Sequence, residues 1–347
     1  MNARGRVVAA SLGIVAIFLS VQAGALALVD PLKAGGNQFV ENTGDPTNSL
    51  LYVGLILVAT VGMLAVIKLG VEWVLRLFVI ASGVYIALFV FGIVVPPVVE
   101  LPVAGVGVNV LAWVGAFGLG GALYWYPEWY VIDAAGIVMG VGAAGLFGIN
   151  FGILPALVLL VVLAVYDAIS VYGTEHMLTL ASGVMDLRIP IVLVVPLTLS
   201  YSFLDAELPD PAGDGEAGEN ADPTPDGGAE TDRPDDAAES DVAPTDRDAL
   251  FIGLGDAVIP AVLVASAGFF LESVPALPVP GLALTLPAAT AMLGTLAGLV
   301  VLLRMVLAGR AHAGLPLLNG GAIGGYLIGA LASGLSIPQA IGIAGFV

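Results

Sequence analysis

Residues 250–260 read LFIGLGDAVIP, and the apolar run continues to about residue 270. One carboxylate, Asp256, stands inside a segment otherwise suited to hydrocarbon. An aspartate at the centre of a spanning helix costs roughly 2.5–3.5 kcal/mol, and such residues usually face the bundle interior and carry function. The stretch raises two questions: whether the chain is a membrane protein, and which group partners the carboxylate.

Composition answers the first. The 347 residues are 59% hydrophobic, with a mean hydropathy of +1.02. That is too apolar for a soluble domain of this length and predicts an all-α polytopic membrane protein. The chain has no cysteine, which excludes disulfides and thiolate metal sites. His176 and His312 alone do not make a zinc site, and no cofactor is expected. Acidic residues outnumber basic ones 28 to 10, which argues against nucleic acid as a partner. Sixteen of the 28 fall between Tyr201 and Leu250, opposed there only by Arg233 and Arg247. With Lys33 and Lys68 the sole lysines, this balance suits a salt-rich cytoplasm and predicts a halophilic microbe as source.

Nine apolar runs of spanning length occur, near 7–29, 49–69, 76–98, 103–125, 130–149, 150–172, 250–271, 282–307 and 316–335. Each suffices for a hydrocarbon core of about 30 Å, which takes roughly 20 helical residues. The fifth and sixth nearly touch, with the break expected near Gly148–Gly152. The first has the basic start and "ALA" end of a secretory signal peptide, but its apolar run is too long for one, and it is expected to stay as a helix. With the N-terminus inside, the cytoplasmic side collects Arg4, Arg6, Lys68, Arg76, Arg188, Arg233, Arg247, Arg304 and Arg310, and the outside only Lys33. Nine against one predicts a cytoplasmic N-terminus and a cytoplasmic connection between spans six and seven.

Four regions follow. Residues 1–172 form a six-helix membrane part. Residues 173–203 hold an amphipathic helix (GTEHMLTLASGVMD) and a β-branched stretch between prolines, including Ile191, Val192 and Leu193, that reads as an extended strand. Residues 204–248 are acidic, rich in Pro and Gly, and expected to be a disordered cytoplasmic loop. Residues 249–347 form a three-helix membrane part.

The partner for Asp256 stands in LVVLAVYDAISVY, residues 160–172. Asp167 lies five residues before the cytoplasmic end of the sixth run, and Asp256 six after the start of the seventh. At 1.5 Å per residue both sit roughly 8–9 Å inside the boundary. Two carboxylates at one depth share a proton and titrate as a unit. One can then take a proton from water while the other polarises a scissile carbonyl, the division of labour of aspartic proteases. Gly253 and Gly255, flanking Leu254, would let an extended substrate backbone come close. The plainer reading is helix packing, since glycine is common in membrane spans.

The motifs YD on the sixth run, GLGD on the seventh and AGLPLLNGG, residues 313–321, opening the ninth are similar to those of the presenilin and signal peptide peptidase family of intramembrane aspartyl proteases, in particular its archaeal presenilin homologues. The similarity covers essentially the whole chain in order and spacing. It implies nine helices, Asp167 and Asp256 as the catalytic pair, and Tyr166, Gly253 and Gly255 as the rest of their motifs. The family's Pro-Ala-Leu maps onto Ala313, Gly314 and Leu315, followed by Pro316; its first proline is replaced here by Ala313. These residues, with Leu254 and the strand at Ile191, Val192 and Leu193, are the expected substrate contacts. Pro316 has no N–H and disfavours helix at Leu315, so the residues before the last span are expected to be extended. The alternative is a proline in a helical first turn.

The implied partners are transmembrane protein or peptide substrates within the lipid bilayer; a homo-oligomer stays open. The alternative function is a proton-coupled transporter, since buried aspartates also mark proton relays. Against it, no inverted repeat is visible and the two aspartates cluster at one face, not at the midplane. A prepilin-type peptidase fits the nine-run layout less well. For a serine protease, no histidine lies deep in a span beside a serine. Asp133 is expected at the interface, Glu272 at the outer end of span seven, His312 at the cytoplasmic interface, and Asn319 in a bond between helices.

Overall fold

The computed structural model describes residues 3–103, 106–173, 192–198, 201–204, 249–308 and 313–343. The long helices are α1 (Ala3–Ala34), α2 (Thr47–Lys68), α3 (Glu72–Val94), α4 (Val110–Trp125), α5 (Trp129–Asn150), α6 (Ile153–Gly173), α7 (Leu254–Phe270), α8 (Leu286–Leu307) and α9 (Gly314–Ala332), with a short α10 (Ile337–Ala340). Apolar side chains run all round these helices, the pattern of helices buried in lipid and protein together. In lipid a helix is also the form that satisfies its own backbone groups. Among the described residues seven helices are long and apolar enough to cross a membrane; α4 and α7 are apolar but shorter.

Two antiparallel strand pairs interrupt the helices. β1 (Glu100–Val103) pairs with β2 (Val106–Asn109), and β3 (Val192–Pro196) with β4 (Ala249–Gly253). The first pair takes up the opening of the fourth apolar run, which sequence reads as helix from residue 103. The helix starts only at Asn109, whose side-chain oxygen accepts from the Ala112 N–H while its amide donates to the Val95 carbonyl. Asparagine at an N-cap is a readable stop to the strand. The second pair splits the seventh run: residues 249–253 are strand, and the helix begins at Leu254. The break between α5 and α6 falls where expected. There the Gly152 N–H donates to the Thr43 carbonyl at 2.7 Å, and a Cβ on Gly152 would lie 2.7 Å from that oxygen.

The core centres on α1, α5 and α7. Phe18, Val21, Leu26 and Leu28 of α1 are fully buried, so the first helix is a structural element of the bundle. Over their apolar windows α5 is 61% buried and α2 only 6%, which puts α5 inside and α2 on the outer face. Polar side chains tie helices together: Asn319 donates to the Leu160 carbonyl as expected, and Ser266 to that of Phe151. Just beyond α7, Glu272 pairs with Lys33 near the end of α1. The hydrogen bond and charge of Lys33 hold the Glu272 carboxyl below its ordinary range. All but the first residue of the amphipathic segment at 173–186, and the acidic tract at 205–248, lie outside the described residues.

Candidate active site

The site forms where three chain ends meet: the C-terminal half of α6, the β4–α7 junction and the first turn of α9. α6 brings in Asp167, which is only 8% exposed. The first N–H groups of any helix have no partner within it. In α9 the Leu315 N–H donates to Asp167 Oδ2 at 3.0 Å, and the Gly314 amide also points at this carboxylate. Asp167 thus caps α9 from another helix, with its charge at the positive end of the α9 dipole.

Asp256 is the third residue of α7 and is half-buried. Its Oδ2 lies 3.3 Å from where a Cβ on Gly314 would stand, so it borders the same α9 terminus. The two carboxylates are near enough for their charges to act on each other. They do not meet for the reason that counting helical residues suggests. Asp256 follows five strand residues, and a strand rises about 3.3 Å per residue against 1.5 Å in a helix.

Gly253 ends β4 with extended backbone (φ −62°, ψ 135°) and caps α7. A Cβ there would meet only Asp256, at 3.6 Å; one on Gly255 would meet only Ile259 Cδ1, at 3.8 Å. At neither glycine does another helix come within reach of such a Cβ; Gly253 is partly exposed and Gly255 exposed, beside Asp256. Farther along, Leu163, Val258, Ile259 and Val262 line an apolar groove of about 320 Å³ whose outer wall is Tyr52, Leu55 and Ile56 of α2.

Other expected contacts sit elsewhere. Tyr166 is 39% exposed on the outer side of α6, away from the buried Asp167 beside it. The Leu254 side chain points to α5, near Gly136 and Gly140. Ala313 is extended, but Gly314, Leu315 and Pro316 open α9, so the proline occupies a helical first turn and, among the described residues before α9, only Ala313 keeps the expected extended form. The side chains of Ala313 and Leu315 are buried; what this segment offers is backbone N–H. Val192 and Leu193 are strand, as expected, but the strand is paired with β4 and Leu193 is buried. Ile191 and His312 lie outside the described residues.

Sequence reading passed over two carboxylates. Asp133, near the start of α5, is buried within the protein and accepts the Val194 N–H at 2.8 Å. Glu128, also buried, accepts from Ser202 Oγ at 2.7 Å and the Phe203 N–H at 2.9 Å. The signal was present for Asp133, since the rule that picks out Asp256, a charge inside an apolar run, applies equally to it; Glu128 lies between two runs and gave no such signal.

A family model described as "Signal-peptide peptidase, presenilin aspartyl protease" matches residues 15–335. Two solved structures of a presenilin family intramembrane aspartate protease are similar to the chain. The one in space group C222 is 30% identical with a TM-score of 0.60, covering 93% of this chain and 99% of its own. The one in space group P2 is 31% identical with a TM-score of 0.57, covering 92% and 97%. No curated protein matches. The chain belongs to the signal-peptide peptidase and presenilin family of aspartyl proteases. It is an intramembrane aspartyl endopeptidase, and the transporter alternative finds no support among these relatives.

Proposed function

We propose that Asp167 and Asp256 are the catalytic dyad and that the substrate is a transmembrane segment of another protein, cut after it unwinds to a strand. The observation that carries this reading is the convergence of both carboxylates on the first turn of α9. Asp167, which accepts peptide N–H groups, is the carboxylate that takes a proton from water. Asp256 holds the shared proton and gives it to the scissile carbonyl oxygen as hydroxide adds to the carbon. The tetrahedral intermediate then collapses: the C–N bond breaks, the amide nitrogen takes up a proton from the dyad, and the two chain ends leave as acid and amine.

An unwound substrate loses backbone hydrogen bonds inside lipid, and a strand partner replaces them. The bare backbone at Gly253 and Gly255 supports approach on the β4 side, beside Asp256. The apolar groove against α2 supports lateral access from the bilayer. Ala313, Gly314, Leu315 and Pro316 serve by holding Asp167, and Val192 and Leu193 by supporting β4.

The same reading includes nine spans, with α4 and α7 counted as short ones, in the four-region division given above. The excess of Lys and Arg supports a cytoplasmic N-terminus, with the dyad and acidic loop on that side. The carboxylate-rich loop supports a salt-adapted source.

The test is cleavage of a membrane-embedded peptide by purified protein in detergent, alongside proton-coupled counterflow in liposomes. Asp167→Ala and Asp256→Ala are each expected to abolish cleavage while thermal unfolding stays close to wild type. Near wild-type turnover in either variant would sink the dyad assignment.

A further inference from the structure

α5 carries two buried carboxylates that the dyad chemistry does not use, and both bind the same stretch of chain. Asp133 accepts the Val194 N–H of β3, and Glu128 accepts Ser202 and Phe203 downstream. Between these anchors the sheet lies on α5. Gly136 leaves room for Leu193: a Cβ there would stand 2.7 Å from Leu193 Cδ2. At Gly140 the corresponding atom would meet Leu254, the first residue of α7, at 3.4 Å. Positions 133, 136 and 140 share one helix face. A single face of α5 therefore berths both β3 and the start of the Asp256 helix.

The direction of the Val194 N–H separates the two edges of the sheet. Val194 is paired with Phe251. Its N–H leaves the sheet toward Asp133, so this pair is of the non-hydrogen-bonded kind, and the peptide groups of both residues face outward. On the β3 side the outward donor is already bound to a carboxylate. On the β4 side the Phe251 peptide faces away from β3, two residues from Gly253 and five from Asp256.

We propose that Asp133, assisted by Glu128, is a positioning residue that seals the outer edge of β3 and fixes the sheet's register, so that an extended substrate can pair only along β4. This rests on the reading that substrate binds as a strand. A carboxyl oxygen suits the task because it accepts the N–H from within the protein, leaving the outward donor of β3 already paired. Without it, the buried Val194 N–H would have no acceptor, and β3 would lose the bond that holds it against α5. A slip of one residue in β3 would also exchange the faces of every side chain in the strand.

The experiment uses the full chain in detergent, a membrane-embedded peptide substrate, and hydrogen exchange of the segment 192–198. Asp133→Ala is expected to raise KM about tenfold with kcat little changed, and to speed exchange in that segment. Asp133→Asn keeps an acceptor oxygen and is expected to restore both most of the way. Unchanged KM and exchange in Asp133→Ala, or an Asn variant no better than the Ala variant, would overturn the proposal. If Asp133→Ala does not fold, Phe251→Pro decides. It removes the outward β4 donor without touching the β3–β4 bonds, and is expected to raise KM while segment 192–198 exchanges as in wild type. Normal cleavage by Phe251→Pro overturns the proposal. Exchange is read without any cleavage, so a failure of the strand-binding or dyad reading shows as altered exchange in Asp133→Ala with no change in KM, or as inactive wild type.

Discussion

Two groups of glycines do opposite work in this chain. Along α8 and α9, Gly294, Gly298, Gly321 and Gly325 stand where the helices nearly touch. A Cβ on Gly294 would lie 2.0 Å from the Gly321 carbonyl oxygen, and one on Gly325 would lie 2.1 Å from that of Thr290. Four-residue spacing on both helices gives the small-residue seam that lets membrane helices approach closely. At the start of α7, a Cβ on Gly253 or Gly255 would make only ordinary contacts, with Asp256 and Ile259 of the same helix. The first group closes an interface between two helices, and the second leaves backbone that no other helix covers. Residue type does not distinguish them; what a methyl group would strike does.

The groups are also linked. A Cβ on Gly298 would lie 2.4 Å from the Leu317 carbonyl oxygen, two residues beyond the Leu315 N–H that holds Asp167. The seam therefore sets where α9 begins, and through it the position of the Asp167 carboxylate. The largest expected effect follows from this. Gly294→Ala would drive a methyl group into a backbone oxygen that has no rotamer to escape to. Overpacking of this kind costs about 1–3 kcal/mol or more. The lower thermal stability and nearly complete loss of cleavage should appear together in a melt and an activity assay. A stable, active Gly294→Ala protein would show that the seam is not closed.

Gly255→Ala tests the other group and has an intermediate expected effect. Alanine in place of glycine in a helix favours folding by about 1 kcal/mol, and no neighbour obstructs it. Stability should hold or rise while kcat/KM drops about tenfold, a loss near 1.4 kcal/mol of transition-state binding. Opposite signs for stability and activity would mark the surface as one kept for substrate. If activity is unchanged, the open glycines have no part in binding.

The sequence conveyed the outline of this comparison but not its cause. The spans, the paired aspartates and the break before α6 were legible because charge in hydrocarbon and apolar length are strong, local signals. The strand in residues 249–253 was not, since a short apolar run at a span's end looks alike as strand or helix. The equal-depth argument counted helical rise for Asp256 through residues that are strand, although the two carboxylates do lie near each other. The strand at 192–196 was legible from its β-branched residues, but its pairing with β4 was not, because the partner is more than fifty residues away. The roles of Asp133 and Glu128 were hidden for a similar reason. Each binds backbone more than sixty residues away, and no spacing rule connects them.

Gly314 stands between the two groups and carries the smallest expected effect. A Cβ there would lie 3.3 Å from Asp256 Oδ2 and 3.4 Å from Leu302 Cδ2. Both neighbours are the ends of rotatable side chains, so a shift of a few tenths of an ångström relieves the contact, unlike the backbone oxygen facing Gly294. Gly314 is the first residue of α9, where alanine favours helix, and the family motif has alanine at this position. Gly314→Ala should therefore leave stability within about 0.5 kcal/mol and kcat/KM within about threefold of wild type. Cleavage kinetics over a range of substrate concentrations would check this. A loss larger than tenfold with normal stability would mean that the Asp256 carboxylate has no freedom to yield. Gly314 would then belong with the closed glycines of the seam, and the dyad would be held rigidly on both sides, not only through Asp167.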